Sequence, residues 1–186
     1  GPWTISALVY DQHSDEVEVT VTDPHDESLV FLYDALRGFR LRGETDQLGK
    51  TTWYEYDQAG FLSKVIDRND IANEIYQDKR GNIIGRQYCR ARGECAIESW
   101  EYYLNTADQF DPRNDTAIAY RDGRSGSETD NTYRTRWEYN AFGELTKKTT
   151  PATSDFPSGR STTYVYTDGT EPAVGGGTTP AGLVKA

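Results

Sequence analysis

No stretch of this sequence approaches the roughly 18 consecutive apolar residues of a membrane-spanning helix, and no signal peptide precedes Trp3. Membrane insertion is therefore not expected. Basic residues are the minority, 20 Lys and Arg against 30 Asp and Glu for a net charge of −10, so the positive face needed to bind nucleic acid or an anionic membrane is missing. The acidity speaks for solubility and for no particular partner. Methionine does not occur at all, and the chain opens with Gly1-Pro2. We read those two residues as the remnant of a removed tag and the chain as a piece of a longer protein, with any targeting signal outside it. Only two cysteines and two histidines occur in 186 residues.

The apolar content that is present comes from aromatic side chains more than from Leu and Ile. Hydrophobic residues make up 35% and aromatics 12%, with 13 tyrosines, a profile that favours strands. The length fits one domain or an array of small units.

Internal repetition decides between these. Tyrosine-led turns ending in glycine recur as "YDALRG" at Gly38, "YDQAG" at Gly60, "YQDKRG" at Gly81, "YRDG" at Gly123 and "YNAFG" at Gly143, at intervals of 22, 21, 42 and 20 residues. One unit of about 21 residues repeats along the chain. A degenerate copy lies near "WEYYLNTADQF", and a stretched last one ends at Gly169. A second acidic marker at Asp23, Asp46, Asp67 and, later, Asp111 keeps nearly the same step, so each unit holds two turns.

The run Thr52, Tyr54, Tyr56 alternates with Trp53 and Glu55, as on the two faces of a strand. Asp57 opens a turn by accepting a bond from the backbone two residues on, and Gly60 closes it in a left-handed conformation. The stretch from Phe61 to Ile66 returns as the partner strand, and Asp67 to Asp70 turns into the next copy. "EVEVTVTD" places Val17, Val19 and Val21 on one face. No segment sustains a helical period; only Ala35 to Phe39, where the turn carries an extra residue, offers a short helical turn. The spacing thus predicts an all-β array of antiparallel hairpins. Its turn-forming positions are Tyr33, Asp34, Gly38, Tyr56, Asp57, Gly60, Tyr76, Gly81, Gly123, Tyr139 and Gly143. We divide the chain into a leading strand with the tag remnant (1–15), the repeat region (16–169) and a Gly- and Pro-rich tail or linker (170–186).

With Tyr56-Asp57-Gln58-Ala59-Gly60, Tyr33-Asp34 with Gly38, and Tyr139-Asn140-Ala141-Phe142-Gly143 in register, the chain resembles the Rhs or YD-repeat family. "DPRNDTAIAYRDGRSGSETDNTY" and the Cys pair before it resemble the Rhs-type proteins of secreted bacterial polymorphic toxins in particular. The resemblance spans roughly Glu16 to Gly169. It implies a twisted, curved sheet belonging to a β-shell that, in the toxin members, encloses a variable carboxyl-terminal effector, and a secreted or cell-surface bacterial location. The chain departs from the family in having too few units to close a shell and no Asp-Pro-rich cleavage segment. The partners implied are the flanking repeats and effector domain of the parent chain.

Cys89 and Cys95 lie six residues apart. Without a local histidine they cannot complete a zinc site; an even count in a secreted protein favours a disulfide over two reduced thiols. Asp67, Asn69 and Asp70, and Asp111, Asn114 and Asp115, offer oxygen ligands for calcium, yet neither set nor Asp122-Gly123 has the spacing of a calcium loop ending in a bidentate Glu. Turn capping is the stronger reading; neither metal nor cofactor is expected. His13 and His25 lie in no motif with Ser or Cys, and His25 occupies a turn in "DPHD". Carboxylates recur at repeat positions, which marks them as structural, so no enzyme is expected. Trp53, Trp100 and Trp137 suit either stacking on a glycan or protein ligand or packing across neighbouring strands, the latter being favoured. The function expected is a structural scaffold; the alternative is an adhesive segment binding carbohydrate or a cell-surface protein.

Overall fold

The computed structural model describes residues 1–6 and 8–185, and every element among them is a strand: β1 (Thr4–Ile5), β2 (Val9–Asp11), β3 (Glu16–Thr22), β4 (Ser28–Asp34), β5 (Arg40–Thr45), β6 (Thr51–Tyr56) and β7 (Leu62–Ile66), followed by β8 (Ala72–Gln77), β9 (Ile83–Ala91), β10 (Glu94–Tyr102), β11 (Ala117–Arg121), β12 (Arg134–Tyr139), β13 (Leu145–Thr149) and β14 (Ser161–Thr163). The pairing is antiparallel, as the alternation of bulky residues and Gly-closed turns predicts. Two compact units divide the chain: Gly1–Gly81 with Arg86–Cys95, and Asn82–Gly85 with Ala96–Ala186. Strands β9 and β10 contribute residues to both.

In the first unit the order is β1-β3-β4-β5-β6-β7-β8, and β2 also pairs with β3. Val17, Val19 and Val21 stand opposite Tyr33, Phe31 and Leu29 on β4, so the alternation in "EVEVTVTD" becomes one apolar face. Residues 1–15 supply β1 and β2, which lie along opposite halves of β3. In the second unit β10, β11, β12, β13 and β14 follow in chain order.

The core is thin. Val17 and Ala119 are the buried apolar residues among those described, and no large side chain is fully buried. Stability in such a sheet rests on cross-strand pairs and on the turns between them.

One detail differs from expectation. Ala35 to Phe39 form no helix; a wide turn there puts both Gly38 (φ 74°) and Phe39 (φ 53°) in left-handed conformations. The extra residue is absorbed by a second left-handed position rather than by helical bonds. The Gly- and Pro-rich tail is held against the last strand region: Tyr166 bridges to Val184 and Pro172 to Thr178, and Lys185 pairs with Glu171.

Candidate functional site

The feature that recurs is a turn with an acidic or amide opener. The Asp57 N–H donates to the Phe61 carbonyl (2.8 Å), its carboxylate accepts the Phe61 N–H (2.9 Å), and the Gly60 N–H closes onto the Asp57 carbonyl (3.1 Å). Asp23, Asp46, Asp67 and Asn140 do the same with Glu27, Lys50, Ile71 and Glu144. The closing residue has positive φ at every one: Asp26, Gly49, Gly60, Asp70 and Gly143. Asp78 opens a related turn closed by Gly81 at φ 88°. Both turn types of the repeat therefore share one geometry. Their short polar openers take up N–H groups that the strands leave unpaired.

Immediately before Tyr33, Tyr56, Tyr102 and Tyr139 the strand register shifts by one residue. These are β-bulges. Leu41, Leu62, Ala117 and Leu145 lie on the opposite side of those shifts. The carbonyl of each is taken by a side chain at the end of a following strand or just beyond it: Tyr56 Oη donates to Leu41 O (2.9 Å), Gln77 Nε2 to Leu62 O (2.9 Å), Tyr139 Oη to Ala117 O (3.0 Å) and Tyr166 Oη, three residues past β14, to Leu145 O (2.8 Å). Tyr102 Oη reaches Ile83 O in the same way (3.0 Å). The bulge displaces a carbonyl from the regular ladder, and the next repeat satisfies it.

The turn glycines carry a second constraint. A Cβ on Gly60 would lie 2.8 Å from Arg40 Nη1, on Gly81 2.9 Å from the Phe61 ring, and on Gly143 2.8 Å from the Pro112 carbonyl oxygen. Each turn is covered by a residue from earlier in the chain, so consecutive turns stack.

Tyr33 and Asp34 end β4, where Asp34 accepts the Leu36 and Arg37 N–H groups. Two positions need correction. Tyr76 is one residue out of register: its hydroxyl donates to Glu74, while Gln77, next to Asp78, makes the bond to the preceding strand. Gly123 does not close a turn, because Asp122 opens one that ends at Ser125, and Gly123 is not among the glycines of positive φ. In "YRDG" the glycine follows Asp122 directly, whereas Gly60 and Gly81 stand three residues after Asp57 and Asp78, so here Ser125 holds the closing place.

Cys89 and Cys95 form a disulfide between β9 and β10. The Cys89 N–H donates to Asn73 Oδ1 on β8 (2.9 Å). Trp53 lies over Gly43, the residue opposite it on β5, where a Cβ would come within 3.0 Å of the indole; its exposure is 40%. Trp100 packs on Tyr120, its cross-strand partner, with ring centroids 5.1 Å apart. Trp137 is half-buried opposite Lys148.

Of the carboxylates weighed as calcium ligands, Asp67, Asp111 and Asp115 are engaged by the protein. Asp67 accepts the Asn69 and Ile71 N–H groups, and those donors hold its carboxyl below the usual range. Asp111 is buried and accepts from the Arg113 guanidinium, the Arg113 N–H and Asn105; the Arg113 side chain, first among these, holds it far below the usual range. Asp130 is lowered to about 2 by the N–H of Gly126 and by Thr132. Among the described residues no three His, Cys, Asp or Glu side chains cluster as a metal site would require. His13 is fully exposed beside Asp11, at 3.4 Å.

Two features had no visible sequence signal. A cleft of about 520 Å³ in the first unit is lined by Asp34, Arg37, Arg40, Arg42, Tyr54 and Tyr56 among others. Two of its cations have acidic partners, Arg37 with Asp34 (3.7 Å) and Arg42 with Glu16 (3.4 Å); Arg40 lies over the Tyr56 ring (5.1 Å) and donates through Nε to Arg37 O, while its buried Nη1 has no hydrogen-bond partner. In the second unit Glu101 bridges Arg121 (2.5 Å) and Arg134 (2.7 Å). The Arg121 side chain is only 7% exposed; its second partner is Asn131.

No family model and no curated protein sequence matches the chain. Solved structures do. The chain is similar to the crystal structure of TcdB2-TccC3 without hypervariable C-terminal region, with a TM-score of 0.53 at 16% identity over 87% of this chain and 9% of that one. It is also similar to TcdB2-TccC3 itself, with a TM-score of 0.50 at 16% identity over 88% of this chain and 9% of that one. This chain shares its all-β fold with a section of those much longer proteins.

Proposed function

We propose that this chain is a structural scaffold: a section of wall in a large secreted or cell-surface bacterial protein of the YD-repeat type, whose sheet continues into flanking repeats and encloses or presents a carboxyl-terminal effector. The observation that carries this reading is the repeated bond from one repeat to the carbonyl displaced by the bulge of an earlier strand, seen at Tyr56, Gln77, Tyr139 and Tyr166. Each such bond joins one repeat to its neighbour, so the chemistry that recurs serves to propagate the sheet. A catalyst instead needs unlike groups brought together once. The fold shared with TcdB2-TccC3, a protein described with a hypervariable C-terminal region, supports the scaffold role.

The reading predicts that the isolated chain turns over no substrate in a general hydrolase panel and gives no strong signal on a glycan array. Turnover would overturn it. A strong glycan signal lost in Trp53→Ala or Trp137→Ala would promote the adhesive alternative in its place.

A further inference from the structure

A cleft of about 450 Å³ in the second unit lies between the start of β12 and the link from β13 to β14. Among the described residues its charged lining groups are Arg134 and Arg136, and no carboxylate lines it. In a chain of net charge −10 the local sign is thus reversed. Asn131, Thr150 and Ser158 add polar groups, and Pro151, Ala152 and Pro157 give one flank an apolar surface. The link that supplies this flank is held in shape. The Thr150 N–H donates to Arg160 O (2.9 Å) and the Gly159 N–H to Phe156 O (2.8 Å), and each proline fixes its own φ.

The two arginines share a face of β12 because they stand two residues apart, but they are answered differently. Arg134 gives Nη2 to Glu101 (2.7 Å), while its buried Nε has no hydrogen-bond partner. Arg136 is exposed and stands between Ala119 on β11 and Thr149 on β13, neither of which carries charge. Among the described residues it makes no hydrogen bond or ion pair. The surrounding acids are engaged elsewhere: Glu101 by Arg121 and Arg134, Glu138 by Lys147 (3.3 Å), Asp122 by Arg124, and Asp130 by the Gly126 N–H and Thr132. Glu128 and Asp155 are exposed and do not line the cleft. Arg136 is therefore its uncompensated cation.

We propose that this cleft binds a side-chain carboxylate of an acidic peptide, with Arg136 as the anchoring cation. A guanidinium offers paired N–H groups in a planar fork that matches the two oxygens of a carboxylate. One unanswered cation also matches one negative charge, which favours a carboxylate over a phosphate dianion. The apolar flank suits the methylenes that carry a Glu carboxylate, and the Asn131 and Ser158 side chains suit the peptide groups on either side. Because the flank is already shaped, little ordering opposes binding. The inference rests on the cleft alone and holds whether or not the chain is a scaffold.

Nuclear magnetic resonance of the nitrogen-labelled chain tests it, with the arginine Nε–H signals as the readout and ionic strength held constant. The probes are end-blocked Gly-Glu-Gly, its uncharged counterpart Gly-Gln-Gly, acetate and inorganic phosphate. Gly-Glu-Gly should shift the Arg136 signal saturably, with a Kd in the millimolar range; acetate and phosphate should bind more weakly, and Gly-Gln-Gly should leave the signal in place. Arg136→Gln should weaken Gly-Glu-Gly binding about tenfold or more, as loss of a charge-assisted contact does. Its side chain is exposed, so the fold should persist, and the amide spectrum checks this. Arg90→Gln, which removes an exposed arginine of the first unit, should leave binding unchanged. Equal shifts at Arg90 and Arg136, an equal response to Gly-Gln-Gly, binding that survives Arg136→Gln, or no saturation at tens of millimolar would each overturn the proposal. Acetate or phosphate binding as tightly as Gly-Glu-Gly would overturn an acidic peptide as the ligand.

Discussion

The Tyr56 hydroxyl donates to the Leu41 carbonyl at 2.9 Å, joining the end of one strand to the point where the register of the previous one slips. The bond is part-buried. Tyr56→Phe should therefore cost about 1–2 kcal/mol, since an unsatisfied buried acceptor carries its full desolvation penalty. Tyr139→Phe should cost a similar amount by loss of the bond to Ala117. Urea denaturation measures both; midpoints unchanged in both variants would mean that these hydroxyls do not hold the bulges in place.

Much of this arrangement was readable in the residues. An Asp or Asn followed three residues later by Gly has few stable conformations, so the turns at Asp57 and Asn140 follow from local chemistry, and Val17, Val19 and Val21 share a face because the strand period is two. The clamp at Gln77 was hidden because Tyr76 beside it carries the expected letter, whereas position relative to Asp78, not residue type, decides which side chain reaches Leu62. Glu101 and its two arginines lie 20 and 33 residues apart, beyond any local pattern. A left-handed glycine closing such a turn implies a bulge beside it, but the register shifts at Tyr33, Tyr56, Tyr102 and Tyr139 are properties of two strands, and neither strand alone encodes them.

Glycine substitutions should separate backbone strain from crowding. Gly49 (φ 74°) has open space around its missing Cβ, whereas Gly143 (φ 81°) faces the Pro112 carbonyl at 2.8 Å. Gly49→Ala should cost about 1 kcal/mol from conformation alone, and Gly143→Ala clearly more, because a backbone atom must move. Gly81→Ala, against the Phe61 ring, should fall between them. Thermal melts of the three variants check the ranking; equal losses would mean the stacked turns do not constrain one another.

Acid should unfold the protein through its turn openers. Asp46, Asp67 and Asp130 all have folded pKa values below the ordinary carboxylate range, caused first by backbone N–H donors. A depressed folded pKa contributes stability that is present above the unfolded pKa, near about 4, and is lost as pH falls through the folded value. Stability should thus hold from neutrality to roughly pH 5 and decline toward about pH 2. Asp67→Asn keeps the acceptor, as Asn140 does naturally, and should make the acid limb shallower. Urea midpoints from about pH 2 to neutrality measure this; an unaltered limb would assign acid lability to other groups.

The claim that the repeated turns and clamps build a wall is tested most directly in a longer protein, carrying this chain with its flanking repeats and downstream domain. Electron microscopy combined with limited proteolysis should show a closed particle and a downstream segment that survives protease until the clamp tyrosines, Tyr56 and Tyr139, are replaced together. An open, extended particle whose downstream segment is cleaved as fast as in the isolated domain would contradict the account.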